Sequence, residues 1–427
     1  MKQIRPYPRA LITKKAARAL ASGHPWVFAG EVLRLEPAPL DGHTAENGDI
    51  VDVVEENGTW HGSGLLSEAS TIRIRLITRN ANDRFDNAFW SRKLTWAWKR
   101  RVTALGNRAL PGCESDLTCC RILFSEADSF PGLIVDKYED VLVAQVGTVG
   151  MQKLRSQIYP LLLDILAQDG ITIRGIYERN DSPSRTKEGL PLEKGWFDAS
   201  NASSTRIIVH ENGIAFDLDL ENSSRKQASF STKIQPPRCE AACKRSPCTR
   251  LLFPTSGPFG LNAAAGGASF VRCVDVSQTA CDLAHENARL NNLDDRMEFT
   301  CANVMKYLPD LAGDKRYLRE QGGPFDLIVL DPPAFTKSRS TVKHAMHGYQ
   351  EINELAMKLL PRGGYLATCS CSHFMTTELL KKNPALCSPQ RGRKPLTARR
   401  TATGTDHPIL WGVPETHYLD FFIFQVI

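Results

Sequence analysis

The sequence predicts a doubly wound, mostly parallel α/β sheet in its C-terminal half, preceded by a β-rich module and a small α+β segment. Three observations carry this expectation. At 427 residues the chain is long enough for two or three domains. Its first eighty or so residues carry the period-two alternation of half-buried strands. Its C-terminal half alternates short apolar runs with helical periodicity, the rhythm of parallel strands joined by crossover helices.

Taken in order, residues 1–82 read as the β-rich module, with strands in Asp49-Ile-Val-Asp-Val-Val and Thr71-Ile-Arg-Ile-Arg-Leu-Ile. Residues 83–195 read as the α+β segment. A helix at 90–106 places Trp90, Leu94 and Trp98 on one face. Strands follow at 132–136 and 140–146, then a helix at about 150–168 and a strand near 173–178. Residues 196–427 alternate a strand at 270–275, a helix at 279–293, a buried strand at 326–330, a helix at 350–360 and a strand at 364–369. In such a sheet ligands gather at the carboxyl ends of the strands, so the residues after each strand are the candidates for chemistry.

Bulk properties exclude some classes. No run of 18 apolar residues occurs, so no membrane-spanning helix is expected. Residues 1–10 lack the apolar core of a signal peptide, which makes a cytoplasmic location the expectation and the 12 cysteines reduced thiols. The net charge of +6 invites a nucleic-acid reading. Two stretches account for all of it. Residues 222–256 hold seven Lys/Arg and one acid, and residues 383–405 hold five Lys/Arg and no acid, which leaves the rest of the chain at −5. The case for RNA therefore has to rest on sites.

Four strand ends carry candidate chemistry. Asp275 closes the strand at 270–275, where an acid can accept both ribose hydroxyls of a nucleoside cofactor; a strand-end Asp is as often a helix N-cap. Gly257-Pro-Phe-Gly and Ala265-Gly-Gly-Ala flank the preceding helix and permit close backbone approach. Leu327-Ile-Val-Leu-Asp-Pro-Pro-Ala-Phe delivers Asp331 on a loop stiffened by Pro332 and Pro333, with Phe335 available to wall or stack on a flipped base. Thr368-Cys-Ser-Cys-Ser-His offers Cys369 and Cys371 as nucleophiles. Zinc fits poorly, because a Cys-x-Cys-x-His run supplies two thiols and no second pair at the usual spacing, so no metal is expected. Pyrimidine C5 is a poor nucleophile, and a thiolate adding to C6 makes it enamine-like; Asp331 bonded to N3 would stabilise the developing charge.

These motifs, together with His24-Pro-Trp-Val-Phe-Ala-Gly, Glu126-Ala-Asp-Ser-Phe-Pro-Gly and Asp406-His-Pro-Ile-Leu, resemble the RlmI-type 23S rRNA cytosine-C5 methyltransferases over nearly the full length. The resemblance implies an N-terminal PUA RNA-binding module, a middle domain and a C-terminal Rossmann-like class I S-adenosylmethionine (SAM) methyltransferase domain. It implies SAM as methyl donor and ribosomal RNA as partner, and it leaves the oligomeric state open, a homodimer included. It places Asp275 on the ribose, Gly257 and Asp331 beside the cofactor, and Asp331 with Pro332 at the target base. Asn303 stands where the family usually has Asp near the adenine. The family thiol is Cys369, with Cys371 second. Related enzymes carry a further Cys where this chain has Ala334, so the base that removes the C5 proton is unassigned. Two other readings stay open: methylation of an exocyclic amine, which needs no thiol, and an RNA-binding homologue whose cofactor loop is dead.

Two stretches depart from the family, about 224–256 and 383–404, and both lack strand or helix periodicity. The family reads Lys-Thr-Gly-Phe-Phe-Leu-Asp-Gln where this chain reads Lys226-Gln-Ala-Ser-Phe-Ser-Thr-Lys-Ile. A codon string can be written for this segment that yields the family motif when read two bases out of phase. We therefore read both stretches as out-of-frame translations closed by compensating shifts. The first overlaps the segment that should supply the central first strand and the cofactor loop, so loss of that strand and of activity is the expectation to test.

Overall fold

The computed structural model describes residues 5–106, 117–199, 204–222, 250–253, 257–332, 335, 336, 338–370, 374–382, 395–401, 404, 406–417 and 419–427. The chain divides into two units. Unit 1 holds Met1–Val209, Leu218–Ser231 and Thr405–Thr416; unit 2 holds His210–Asp217, Thr232–Gly404 and His417–Ile427.

Unit 1 contains two sheets. In the first, β1 (Arg9–Ile12), β2 (Trp26–Phe28), β3 (Val32–Glu36), β4 (Ile50–Val54), β5 (Trp60–Leu66) and β6 (Ile72–Thr78) are ordered β2-β6-β5-β4-β1-β3. Helix α1 (Lys14–Ala21) starts where the Thr13 hydroxyl accepts from the Ala16 amide, and it buries Ala16, Ala17 and Leu20 while Lys14, Lys15 and Arg18 face solvent. The second sheet orders β7 (Cys119–Phe124), β8 (Leu133–Tyr138), β9 (Val141–Val146), β10 (Gly175–Asn180) and β11 (Glu193–Trp196) as β11-β10-β9-β8-β7. Helices α2 (Asn87–Leu105) and α3 (Val149–Gln168) pack with it, and the predicted face of Trp90, Leu94 and Trp98 is buried in that core. A hairpin of β12 (Arg206–Glu211) and β13 (Ile214–Asp219) follows, of which His210–Asp217 belong to unit 2.

Unit 2 is built on seven strands: β14 (Arg250–Phe253), β15 (Phe270–Asp275), β16 (Met297–Cys301), β17 (Leu327–Leu330), β18 (Tyr365–Ser370), β19 (Pro395–Thr401) and β20 (Asp420–Val426). Their order is β16-β15-β14-β17-β18-β20-β19. The first five are parallel, and β20 and β19 close the sheet antiparallel. The connecting helices are α4 (Pro258–Ala265), α5 (Gln278–Leu290), α6 (Val304–Gly313), α7 (Lys315–Glu320), α8 (Val342–Leu359) and α9 (Thr377–Lys381). The chain runs outward from β14 through β15 to β16, then returns to place β17 on the other side of β14. That reversal makes the carboxyl ends of β14 and β17 a topological switch point, the place where doubly wound sheets bind ligands.

The expectation for the two irregular stretches needs correction. Residues 250–253 form β14 at the centre of the sheet, with Leu251 and Leu252 fully buried between β15 and β17. A parallel central strand asks only for consecutive apolar residues, and Leu-Leu supplies them. Residues 395–401 form β19 at the sheet edge, with a register shift between Thr397 and Arg399. An edge position tolerates Pro and an irregular ladder, so absent periodicity did not exclude a strand there. Residues 223–249 and 383–394 lie outside the described residues. Two helices also differ in length. Helix α8 begins at Val342, well before the expected 350, because Gly348 interrupts the pattern without breaking the helix. Helix α5 ends at Leu290, and Asn291 and Asn287 turn back to bond the backbone of β13 at Ala215 and Asp217.

Candidate active site at the strand tips

The pairing of β17 with β18 sets Leu330 opposite Thr368, which carries the next residues, Asp331 and Cys369, to the same point at the sheet's edge. There the Cys369 Sγ–H donates to Asp331 Oδ1 at 2.9 Å and lies 3.3 Å from the Leu330 carbonyl. Cys369 is 1% exposed, and Asp331 is half-buried. A thiol donating to a carboxylate in a nearly dry position is a nucleophile already in contact with a proton acceptor. Other described thiols of this unit are differently placed. Burial pushes Cys273 up to about 12, which leaves it protonated and inert. Burial also raises Cys281.

The loop after Asp331 begins with buried Pro332. Phe335 is half-buried, with its ring in edge contact with Tyr349 of α8 at a centroid distance of 4.8 Å. Gly348 lies under that ring, where an added Cβ would sit 3.7 Å from it, in ordinary contact. Pro333, Ala334 and Cys371 lie outside the described residues.

On the other side of the switch point, Gly257 begins α4 at φ +96°, a conformation open to glycine and strained for other residues. A Cβ there would meet nothing within 4 Å. Gly260 has a different reason to be glycine. A Cβ would fall 2.6 Å from Cys273 Sγ, so it lets α4 close onto β15. Asp275 stands half-buried at the tip of β15, its Oδ1 accepting from the Ser277 amide. The helix cap is Ser277, whose hydroxyl accepts from Ala280 N, so Asp275 is not needed as the cap of α5. Asn303 is exposed and caps α6, with Oδ1 accepting from Met305 N.

Sequence reading missed Val276. It is 73% exposed beside Asp275, an apolar side chain held in the open next to a carboxylate. Its signal was an apolar residue just beyond the strand-end acid, where a turn is normally polar. An acid for hydroxyls, an apolar surface for a flat base and a glycine at positive φ together fit a nucleoside cofactor such as SAM. Among the described residues no group of three His, Cys, Asp or Glu side chains could hold a metal ion, and no helix is long and apolar enough to cross a membrane.

Comparison with known proteins agrees with this arrangement. Residues 11–79 match the PUA-like domain model, and residues 194–392 match the model of S-adenosylmethionine-dependent methyltransferases. The chain is 34% identical over 411 residues to the ribosomal RNA large subunit methyltransferase I of Shewanella amazonensis, covering 96% of this chain and 97% of that one. It is 32% identical over 427 residues to the protein of the same name from Klebsiella pneumoniae, covering 99% of both. Two solved chains share the fold at 16% identity: SMU.776 complexed with SAH, at a TM-score of 0.74, and a SAM-dependent methyltransferase from Streptococcus mutans, at 0.72, each covering 98% of this chain and 99% of its own. A full-length relative above 30% identity and a match to the methyltransferase model agree: the chain belongs to the ribosomal RNA large subunit methyltransferase I family of S-adenosylmethionine-dependent methyltransferases.

Proposed function

We propose that the chain methylates carbon 5 of a cytosine in large-subunit ribosomal RNA, with Cys369 forming a transient bond to the base. The observation that carries this reading is the Cys369–Asp331 contact, a buried nucleophile 2.9 Å from a carboxylate at the mouth of the cofactor cradle. In this reading residues 1–82 bind RNA, residues 83–195 form a middle domain and residues 196–427 carry the chemistry in the cytoplasm. Asp275, Gly257 and Val276 hold the cofactor, with Asn303 near its base through the amide not spent on the helix cap.

The thiol proton passes to Asp331 as the sulfur adds to C6. The carboxyl group then gives that proton to N3, so the electron pair of the C5–C6 double bond becomes available at C5 and no net charge builds on the ring. Bound SAM supplies an electrophilic methyl group. Pro332 and Pro333 stiffen the loop that presents Asp331, and Phe335, held by Tyr349, walls the base. Transfer of the C5 proton to water and departure of the Cys369 sulfur as a thiolate restore the aromatic ring, and the N3 proton returns through Asp331 to that thiolate.

The test is transfer of labelled methyl from SAM to protein-free large-subunit rRNA, with the product nucleoside identified by mass spectrometry. The account expects 5-methylcytidine from the wild-type chain and none from Cys369→Ser. Product on an exocyclic amine, surviving Cys369→Ser, would replace the adduct by thiol-independent chemistry.

A further inference from the structure

Residues 405–416 are remote in sequence from the N-terminal module, yet they belong to unit 1. Several buried contacts fix them there. Asp406 Oδ2 accepts from the Arg121 amide at 3.1 Å, and its carbonyl accepts from Arg101 at 2.9 Å. Arg101 itself is fully buried and clasps Asp128 through both terminal nitrogens at 2.7 and 2.8 Å. The His407 ring packs 5.1 Å from Phe124, and Thr416 Oγ1 accepts from Leu410 N at 2.9 Å. Gly412 lies directly on Gly23. A Cβ on Gly412 would fall 2.5 Å from the Gly23 carbonyl, so only glycine permits the contact.

This well-anchored loop leaves Trp411 97% exposed. Folding does not require an indole in water, and burying it elsewhere would stabilise the chain. The Gly412–Gly23 contact also brings the Trp411 loop against the backbone that leads into a second aromatic group. His24 follows Gly23, its ring meets Trp26 at 5.2 Å and lies parallel to Phe28 at 6.3 Å, and Phe28 is itself exposed. Trp26 is locked by its Nε1–H, which donates to Glu126 at 3.1 Å. Helix α1, which ends at this point, turns Lys14 and Arg18 to solvent and has no acid in its sequence, while the exposed Lys15 pairs with Glu31 at 3.1 Å. Aromatic rings held rigid in water beside a cationic helix are the parts of a surface that stacks unpaired bases and neutralises phosphates.

We propose that Trp411 is an RNA-contact residue, stacking on an unpaired base of the substrate and extending the aromatic row of His24 and Phe28 on the N-terminal module. A C-terminal segment thereby completes an RNA-binding face that the first eighty residues begin. This inference rests on the RNA substrate proposed above.

The experiment uses the full-length chain and a labelled single-stranded oligoribonucleotide of mixed sequence, followed by fluorescence anisotropy across a salt series, with methyl transfer to rRNA measured alongside. Trp411→Ala is expected to weaken RNA binding about ten-fold with an unchanged salt slope, and Trp411→Phe to stay within about three-fold of wild type. Replacing Lys14 and Arg18 together by Ala should instead flatten the salt slope. For Trp411→Ala the KM for rRNA should rise while kcat and SAM affinity hold. A wild-type chain that binds and methylates RNA while Trp411→Ala binds it equally well overturns this proposal and leaves the proposed function standing. A wild-type chain that binds no RNA overturns both.

Discussion

The two sides of the switch point are built differently. On the β17–β18 side, sheet register alone brings Asp331 and Cys369 together, and the pair sits at the end of largely buried strands. On the β14–β15 side, the proposed cradle depends on one glycine at positive φ, one half-buried carboxylate and one exposed valine. Its entry strand comes from a stretch that departs from the family pattern. The chemical half is thus held by packing and the cofactor half by backbone conformation. A sheet tolerates sequence change in a strand as long as it stays apolar; a cofactor turn does not tolerate it in the same way.

The largest separation between the two halves should come from Cys369→Ser. It is expected to lower methyl transfer more than about 10³-fold with SAM affinity unchanged, because the hydroxyl fills the same space and is a far weaker nucleophile. A proportional loss of SAM binding, seen by isothermal titration, would show that the halves are not separable. Leu252→Asp should break what they share. An unpaired carboxylate at the fully buried Leu252 position of the central strand should cost more than about 4 kcal/mol, enough to unfold unit 2 in a denaturant titration while unit 1 persists.

How much of this was legible before the fold was known follows the same division. Leu327-Ile-Val-Leu-Asp and Ala367-Thr-Cys each announce a buried strand with chemistry at its tip, because parallel strands buried on both faces read as apolar runs. That the two tips touch was not legible. The contact spans 38 residues and depends on the return crossover and its register. The helix-cap reading of Asp275 could be set aside only once Ser277, two residues later, was seen to take the cap. Strand β14 was hidden because four residues are too few for periodicity, and α8 was read short because Gly348 looks like a breaker until Phe335 is seen above it. The fixing of Trp411 by Gly412 on Gly23 could not be read from either segment alone.

On the cofactor side, Asp275→Ala should weaken SAM binding about 10- to 100-fold, roughly 1.4–2.8 kcal/mol, with the fold intact. Unchanged affinity would remove Asp275 from the cradle. The nucleotide sequence sharpens the contrast further: a shifted reading of residues 224–256 and 383–404 that restores family residues is expected, and an intact frame with no such match would make the divergence genuine. A restored chain should then bind SAM more tightly with Cys369 chemistry unaltered.

The smallest effect expected lies in unit 1 and serves as a control. Burial pushes the Asp49 carboxyl up, but the Glu46 amide, Lys153 and His43 together outweigh it and hold the group below its ordinary 3.8. A depressed carboxyl stabilises the fold above its unfolded pKa and loses that contribution as pH falls through the folded value. Asp49→Asn should therefore cost about 0.5 kcal/mol at pH 7, and the difference from wild type should vanish as pH falls through the carboxyl's lowered folded value. Methyl transfer at pH 7 should not change.

The most direct test of the central claim is to trap the bond between Cys369 and the base. Fluorine at C5 blocks the proton loss that frees the sulfur, so rRNA carrying 5-fluorocytidine, mixed with the full chain and SAM, should form a complex stable to denaturation. Peptide mass spectrometry should place the bond on Cys369, and Cys369→Ser should form none. A bond mapped to another cysteine, or methylated RNA with no trapped complex, would contradict the account.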